Sequence, residues 1–71
     1  MFPSEQFVNE IKKKYPAGTR IELDYMDDPH AVPSGTKGTV KFVDDIGSVH
    51  TVWDNGSTLA VIPGEDSFHK I

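Results

Sequence analysis

Three donor side chains fall within four residues in Asp27-Asp28-Pro29-His30. Carboxylate oxygens and an imidazole nitrogen are ligands that zinc or manganese accept, and His50, Asp44 and Asp45 could complete such a set. The spacing matches no zinc or calcium pattern, and neighbouring carboxylates on an extended chain point to opposite sides. Asp and Pro are also the residues from which turns are built, so the segment is read as a turn without a metal. Nucleophilic catalysis requires an activated hydroxyl or thiol beside a base. Ser34, Ser48 and Ser57 all sit in or next to turn-forming residues, and no nucleophile elbow surrounds them. Gly35-Thr36-Lys37-Gly38-Thr39 has the look of a phosphate loop but lacks the full G-x-x-x-x-G-K-[ST] signature and its helix. Acid–base chemistry by paired carboxylates needs a dry pocket, which 71 residues scarcely enclose. The expectation is a non-enzymatic domain with no cofactor.

The charge balance narrows the partners. Seven Lys and Arg against eleven Asp and Glu give a net charge of -4. That weighs against a general nucleic-acid binder, because phosphate neutralisation needs clustered cations. A local basic patch of Lys12, Lys13, Lys14, Arg20 and Lys37 is the alternative, with Lys41 and Lys70 as further members. The lysine run is otherwise explained as a solvated helix end, where cations complement the macrodipole. The chain contains no cysteine, so disulfides are excluded and a reducing, cytoplasmic setting is expected. No apolar run approaches the roughly 18 residues of a membrane helix.

The elements that would position these residues follow from local pattern. Ser4 caps a helix running to about Lys14, with Phe7, Val8, Ile11 and Tyr15 at helical spacing and Pro16 as its stop. Pro16-Ala17-Gly18-Thr19-Arg20 is echoed by Pro33-Ser34-Gly35-Thr36-Lys37, each a turn that launches a strand. The first strand is Arg20 to Tyr25, with Ile21, Leu23 and Tyr25 on one face. The second is Gly38 to Val43, with Val40 and Phe42 on one face. Met26 to Ser34 is a long loop. Strands from Ser48 to Trp53, Thr58 to Ile62 and Ser67 to Ile71 complete five. Val49, Thr51 and Trp53 are expected to face the core, although Trp53, at a strand end, could also serve a surface. Asp54-Asn55-Gly56-Ser57 predicts a type I′ hairpin turn, and Asp44-Asp45-Ile46-Gly47 a second, longer one.

In combination these motifs resemble a known family. Tyr15-Pro16-x-Gly18-Thr19-Arg20, Met26-Asp27-Asp28-Pro29, Pro33-x-Gly35-Thr36-Lys37-Gly38-Thr39-Val40, His50-x-x-Trp53-Asp54-Asn55-Gly56-Ser57 and Ile62-Pro63-Gly64-x-Asp66-x-Phe68 follow one another in the order of the domain-of-unknown-function family numbered 4314. Thr51 departs from it, standing where a more apolar residue is expected. The resemblance implies a phage or mobile-element context in Gram-positive bacteria and no particular activity.

The expected fold is mainly β: residues 1–15 an amphipathic helix packed on a small five-stranded Src-homology-3-like barrel of residues 16–71. The expected function is a protein-interaction module. Its partner would lie in a groove beside the long first loop, lined by Tyr25, Met26, Asp27, Asp28 and His30. The alternatives are an RNA- or DNA-binding barrel using the lysine patch, and an anti-defence protein that sequesters a host factor.

Overall fold

A computed structural model describes residues 4–71. Helix α1 spans Glu5–Lys14. Ser4 caps it, accepting the Phe7 N–H at 3.1 Å, and Lys12, Lys13 and Lys14 occupy the last turn. Val8, Ile11 and Tyr15 are buried and pack on the body of the domain, whereas Phe7, expected on the same stripe, is 36% exposed. Four strands follow: β1 (Arg20–Tyr25), β2 (Lys37–Val43), β3 (Val49–Trp53) and β4 (Ser67–Lys70). They form one antiparallel sheet in the order β3-β2-β1-β4.

This corrects the five-stranded barrel. The sheet is open, with β3 and β4 at its two ends. The expected strand over Thr58 to Ile62 shrinks to a single bridge, in which Val49 and Val61 exchange both N–H···O bonds at 2.8 and 3.0 Å. Nearer the turn, the Trp53 N–H donates to the Ser57 carbonyl at 2.8 Å. Between those two points Thr51 should pair with Leu59. Instead the Leu59 carbonyl turns to accept the Trp53 indole Nε1–H at 2.9 Å, and the ladder is interrupted. Pro63, with no N–H, then ends the segment.

The hairpin turn is also of another type. Among the described residues no non-glycine residue has positive φ, so Asn55 is excluded from the left-handed conformation that type I′ requires. Gly56, at φ 92°, alone takes it. The Gly56 N–H donates to Trp53 O, and the Asn55 side chain accepts the Ser57 N–H. The turn from Asp44 to Ser48 repeats this arrangement, with Gly47 N–H on Asp44 O and Asp44 N–H on Ser48 O. Both are three-residue loops closed by a left-handed glycine.

The echo seen in the sequence extends much further in the fold. Residues 16–28, PAGTRIELDYMDD, and 33–45, PSGTKGTVKFVDD, are offset by seventeen positions. Their turns match: Thr19 donates its N–H and Oγ1–H to Pro16 O, as Thr36 does to Pro33 O. The strands are related by a local two-fold axis through the Ile21–Gly38 pair, which exchanges Arg20–Thr39 with Lys37–Glu22. Gly18 and Thr19 bond Val40 in the way that Gly35 and Thr36 bond Leu23. The same axis carries β3 onto β4, since Thr51 opposes Val40 as Phe68 opposes Leu23.

A register shift interrupts each copy at the same place, between Leu23 and Tyr25 and between Val40 and Phe42. One extra residue reverses the alternation beyond it. Tyr25 and Phe42 therefore leave the face of Ile21, Leu23 and Val40, on which alternation alone would set them, and are 59% and 51% exposed, while Met26, expected beside Tyr25 in the groove, is buried instead. The core gathers Ile21, Leu23, Val40, Val49, Trp53 and Val61 under α1, with Met26 and Val32 tucking the long loop against it. Trp53 is core, at 1% exposure. Thr51 is buried as well, its hydroxyl donating to Val49 O at 3.2 Å. No helix among the described residues is long and apolar enough to cross a membrane.

Candidate functional site

The residues expected to line a groove separate into an anchor and a display. Met26, at 6% exposure, is part of the core and unavailable to a partner. Tyr25, Asp27, Asp28 and His30 are exposed. The Asp28 carboxylate accepts the His30 N–H at 2.7 Å, an Asx turn that accounts for the adjacent donors better than a metal does. Asp66 fixes the start of the loop from across the chain. Its Oδ1 accepts the Asp27 N–H at 3.1 Å and its Oδ2 the Ile62 N–H at 2.8 Å. With Val32 and Met26 buried, the acidic loop is held at several points, and Asp27 and Asp28 are exposed on it two and three residues after the exposed Tyr25. A surface depression of about 370 Å³ lies elsewhere: between the C-terminal end of α1 and residues 63–68.

The lysine patch is divided. Lys12 pairs with Asp45 at 3.1 Å, and Lys14 lies 5.6 Å from the Tyr15 ring centroid. These residues belong to the helix, which covers the core face of the sheet. Arg20 alternates with buried Ile21 and therefore projects from the opposite face. There its guanidinium grips Asp54 in a two-pronged pair at 2.8 and 2.7 Å and also donates to Thr39 Oγ1. The hydrogen bond from Arg20 holds the Asp54 carboxyl below its ordinary range, while that same bond raises the Arg20 pKa. Both groups are well exposed, so the pair is worth little stability. Lys37 is exposed on β2, across from Glu22.

Two histidine–carboxylate groups lie on the sheet. His50 Nε2 meets Asp44 Oδ2 at 2.8 Å, and its ring stacks on exposed Phe42 with centroids 4.3 Å apart. Asp44 Oδ1 also accepts the Ile46 and Ser48 N–H groups. Partial burial pushes the Asp44 carboxyl up. The His50 hydrogen bond and the two N–H donors outweigh it, so its pKa lies below the ordinary 3.8. A carboxyl that binds its proton less readily when folded stabilises the fold above the unfolded value, and loses that contribution as pH falls through the folded one. Wild-type urea-unfolding free energy is thus expected to drop between about pH 5 and about pH 2, and to drop less steeply in Asp44→Asn. Equal slopes would show that Asp44 contributes nothing there.

The second group, Glu22, Asp24 and His69, brings its donor atoms within 4.8 Å of one another. Sequence reasoning missed it, because it forms only once β4 has paired with β1. His69 Nδ1 faces Asp24 Oδ1 at 3.0 Å while Nε2 faces Glu22 Oε2 at 3.7 Å. The arrangement suits a charge cluster that ties β4 to β1.

Among curated proteins, none matches this chain. Over residues 4–71 it matches the family described as a domain of unknown function (DUF4314), and it belongs to that family.

Proposed function

We propose that this domain is a non-enzymatic protein-interaction module that displays Tyr25 and the loop acids to a basic, extended segment of a partner. The observation that carries this reading is Tyr25 itself. The register shift in β1 turns a large aromatic ring outward just before Asp27 and Asp28 in the chain, on a loop pinned by Asp66 and by two buried side chains. A preorganised aromatic flanked by charge costs little ordering entropy on binding, which is the property of an interaction hot spot. Three of the carboxylates are already used for architecture: Asp44 and Asp66 by main-chain N–H groups, Asp54 by Arg20. A cysteine-free chain fits the cytoplasm, where we place it. A phage or mobile-element setting, including an anti-defence role, remains a reading of the family resemblance alone.

The test is a titration of isotopically labelled protein with an unstructured Lys/Arg-rich peptide, followed by amide resonances. Shifts are expected to cluster on residues 24–30 and to vanish in the Asp27→Asn, Asp28→Asn variant. Shifts spread evenly over the acidic surface, unaffected by that variant, would refute the assignment.

A further inference from the structure

The internal two-fold axis makes the two ends of the sheet comparable, and only one of them is covered. At the β3 end, Val49 and Trp53 point their main-chain groups away from β2, and the chain's own residues 57–61 run antiparallel to receive them. That segment also delivers Val61 to the core and rests Leu59 against it. At the β4 end the mates of Thr51 and Trp53 are Phe68 and Lys70. Leu23 directs its N–H and C=O to Thr36 and Gly35, on the β2 side, whereas the Arg20 carbonyl accepts the Ile71 N–H on the β4 side. Alternation along the pair therefore has Glu22 bonding His69 and leaves the main-chain groups of Phe68 and Lys70 facing outward. Outside the ladder with β1, no backbone hydrogen bond among the described residues reaches them.

Beside this edge lies the depression lined by Ile11, Lys14, Tyr15, Phe68 and the turn of residues 63–67. Its floor is aromatic, with the Tyr15 and Phe68 centroids 5.2 Å apart. Two ammonium groups flank it, Lys14 at 5.6 Å and Lys70 at 5.5 Å from the Tyr15 ring centroid. Neither makes a salt bridge among the described residues. We infer that the outer edge of β4 is a second interaction site, distinct from the Tyr25 surface. It receives an extended segment of a partner protein that is apolar at one position and acidic two residues to either side, so that the three side chains share the face of Tyr15 and Phe68. The segment runs antiparallel to β4, as residues 57–61 run to β3, and bonds the main chain of Phe68 and Lys70. Its apolar side chain enters the depression over Tyr15 and Phe68, and its carboxylates meet Lys14 and Lys70. Main-chain pairing supplies the affinity and the two lysines select the charge of the segment. Self-pairing of two copies fits less well, because the edge a second copy offers, Phe68-His69-Lys70, brings a further cation and no carboxylate to Lys14 and Lys70.

The probe is a short extended synthetic peptide of the pattern glutamate-threonine-valine-threonine-glutamate, which sets valine and both glutamates on one face, titrated into the labelled full chain, with a peptide carrying lysine in place of glutamate beside it. The acidic peptide is expected to shift and protect from hydrogen exchange the Phe68 and Lys70 amides, and the basic one to leave them unmoved. Lys14→Glu with Lys70→Glu should weaken binding by about tenfold or more. Lys70→Pro, which deletes an outward N–H without touching the β1 ladder, should weaken it while the native fold is retained. Equal response to both peptides, or unchanged amides at Phe68 and Lys70, would overturn the proposal. So would concentration-dependent shifts of β4 without any peptide, which would identify a second copy as the occupant.

Discussion

Trp53→Ala is expected to remove about 3–5 kcal/mol of stability, read from chemical denaturation. A chain of this length has roughly 4–10 kcal/mol in total, so the loss is about a third of it or more. Two losses combine. The indole is 1% exposed and touches both β2 and the segment after the last hairpin, so its removal leaves a cavity in a thin core. It also orphans the Leu59 carbonyl, which the indole Nε1–H satisfies at 2.9 Å. A loss below about 1 kcal/mol would mean that the segment 57–61 closes over the gap and that Trp53 is not its organising contact.

Gly38→Ala should cost about 1–3 kcal/mol or more, although it adds a single methyl group. A Cβ at Gly38 would stand 2.7 Å from Thr51 Cγ2, 2.8 Å from Trp53 Cε3 and 3.0 Å from the Val52 carbonyl. The position sits on the two-fold axis opposite Ile21, where the sheet is pressed between Ile21 and Trp53. Backbone conformation is not the reason, since Gly38 has negative φ; space is. Thr51→Ser removes the nearest contact atom, so the Gly38→Ala, Thr51→Ser double variant should recover part of the loss in a thermodynamic cycle. Strict additivity of the two changes would show that the crowding lies elsewhere.

Local chemistry made some elements legible and left others hidden. Ser4, the i, i+3, i+4 stripe and Pro16 announce α1, whose observed limits are Glu5–Lys14. The alternation of Val49, Thr51 and Trp53 against His50 and Val52 is also what the fold shows. The register shifts are different. Nothing in Asp24 or Lys41 marks an extra residue, yet each moves an aromatic side chain from one face to the other. The clue was the length of the repeat: the similarity of Tyr25-Met26-Asp27-Asp28 to Phe42-Val43-Asp44-Asp45 continues past both irregularities. The lost fifth strand could not be read locally at all. Thr58 to Ile62 is an apolar run fit for a strand, but a side-chain donor six residues away captured the carbonyl its ladder needed. The Glu22, Asp24 and His69 cluster likewise depends on the pairing of β1 with a strand more than forty residues later.

The claim that this domain recognises protein segments and not nucleic acid is tested most directly by fluorescence anisotropy. Labelled single- and double-stranded oligonucleotides of mixed sequence would be titrated near physiological salt, with the Lys/Arg-rich peptide in parallel. The divided basic residues, with Lys12 bound to Asp45 and Arg20 to Asp54 on opposite sides of the sheet, predict oligonucleotide binding weaker than ~10⁻⁴ M. The peptide should bind measurably and lose that binding in Asp27→Asn, Asp28→Asn. Oligonucleotide binding tighter than that limit, falling steeply with salt and abolished by replacing Lys12, Lys13 and Lys14, would contradict the account.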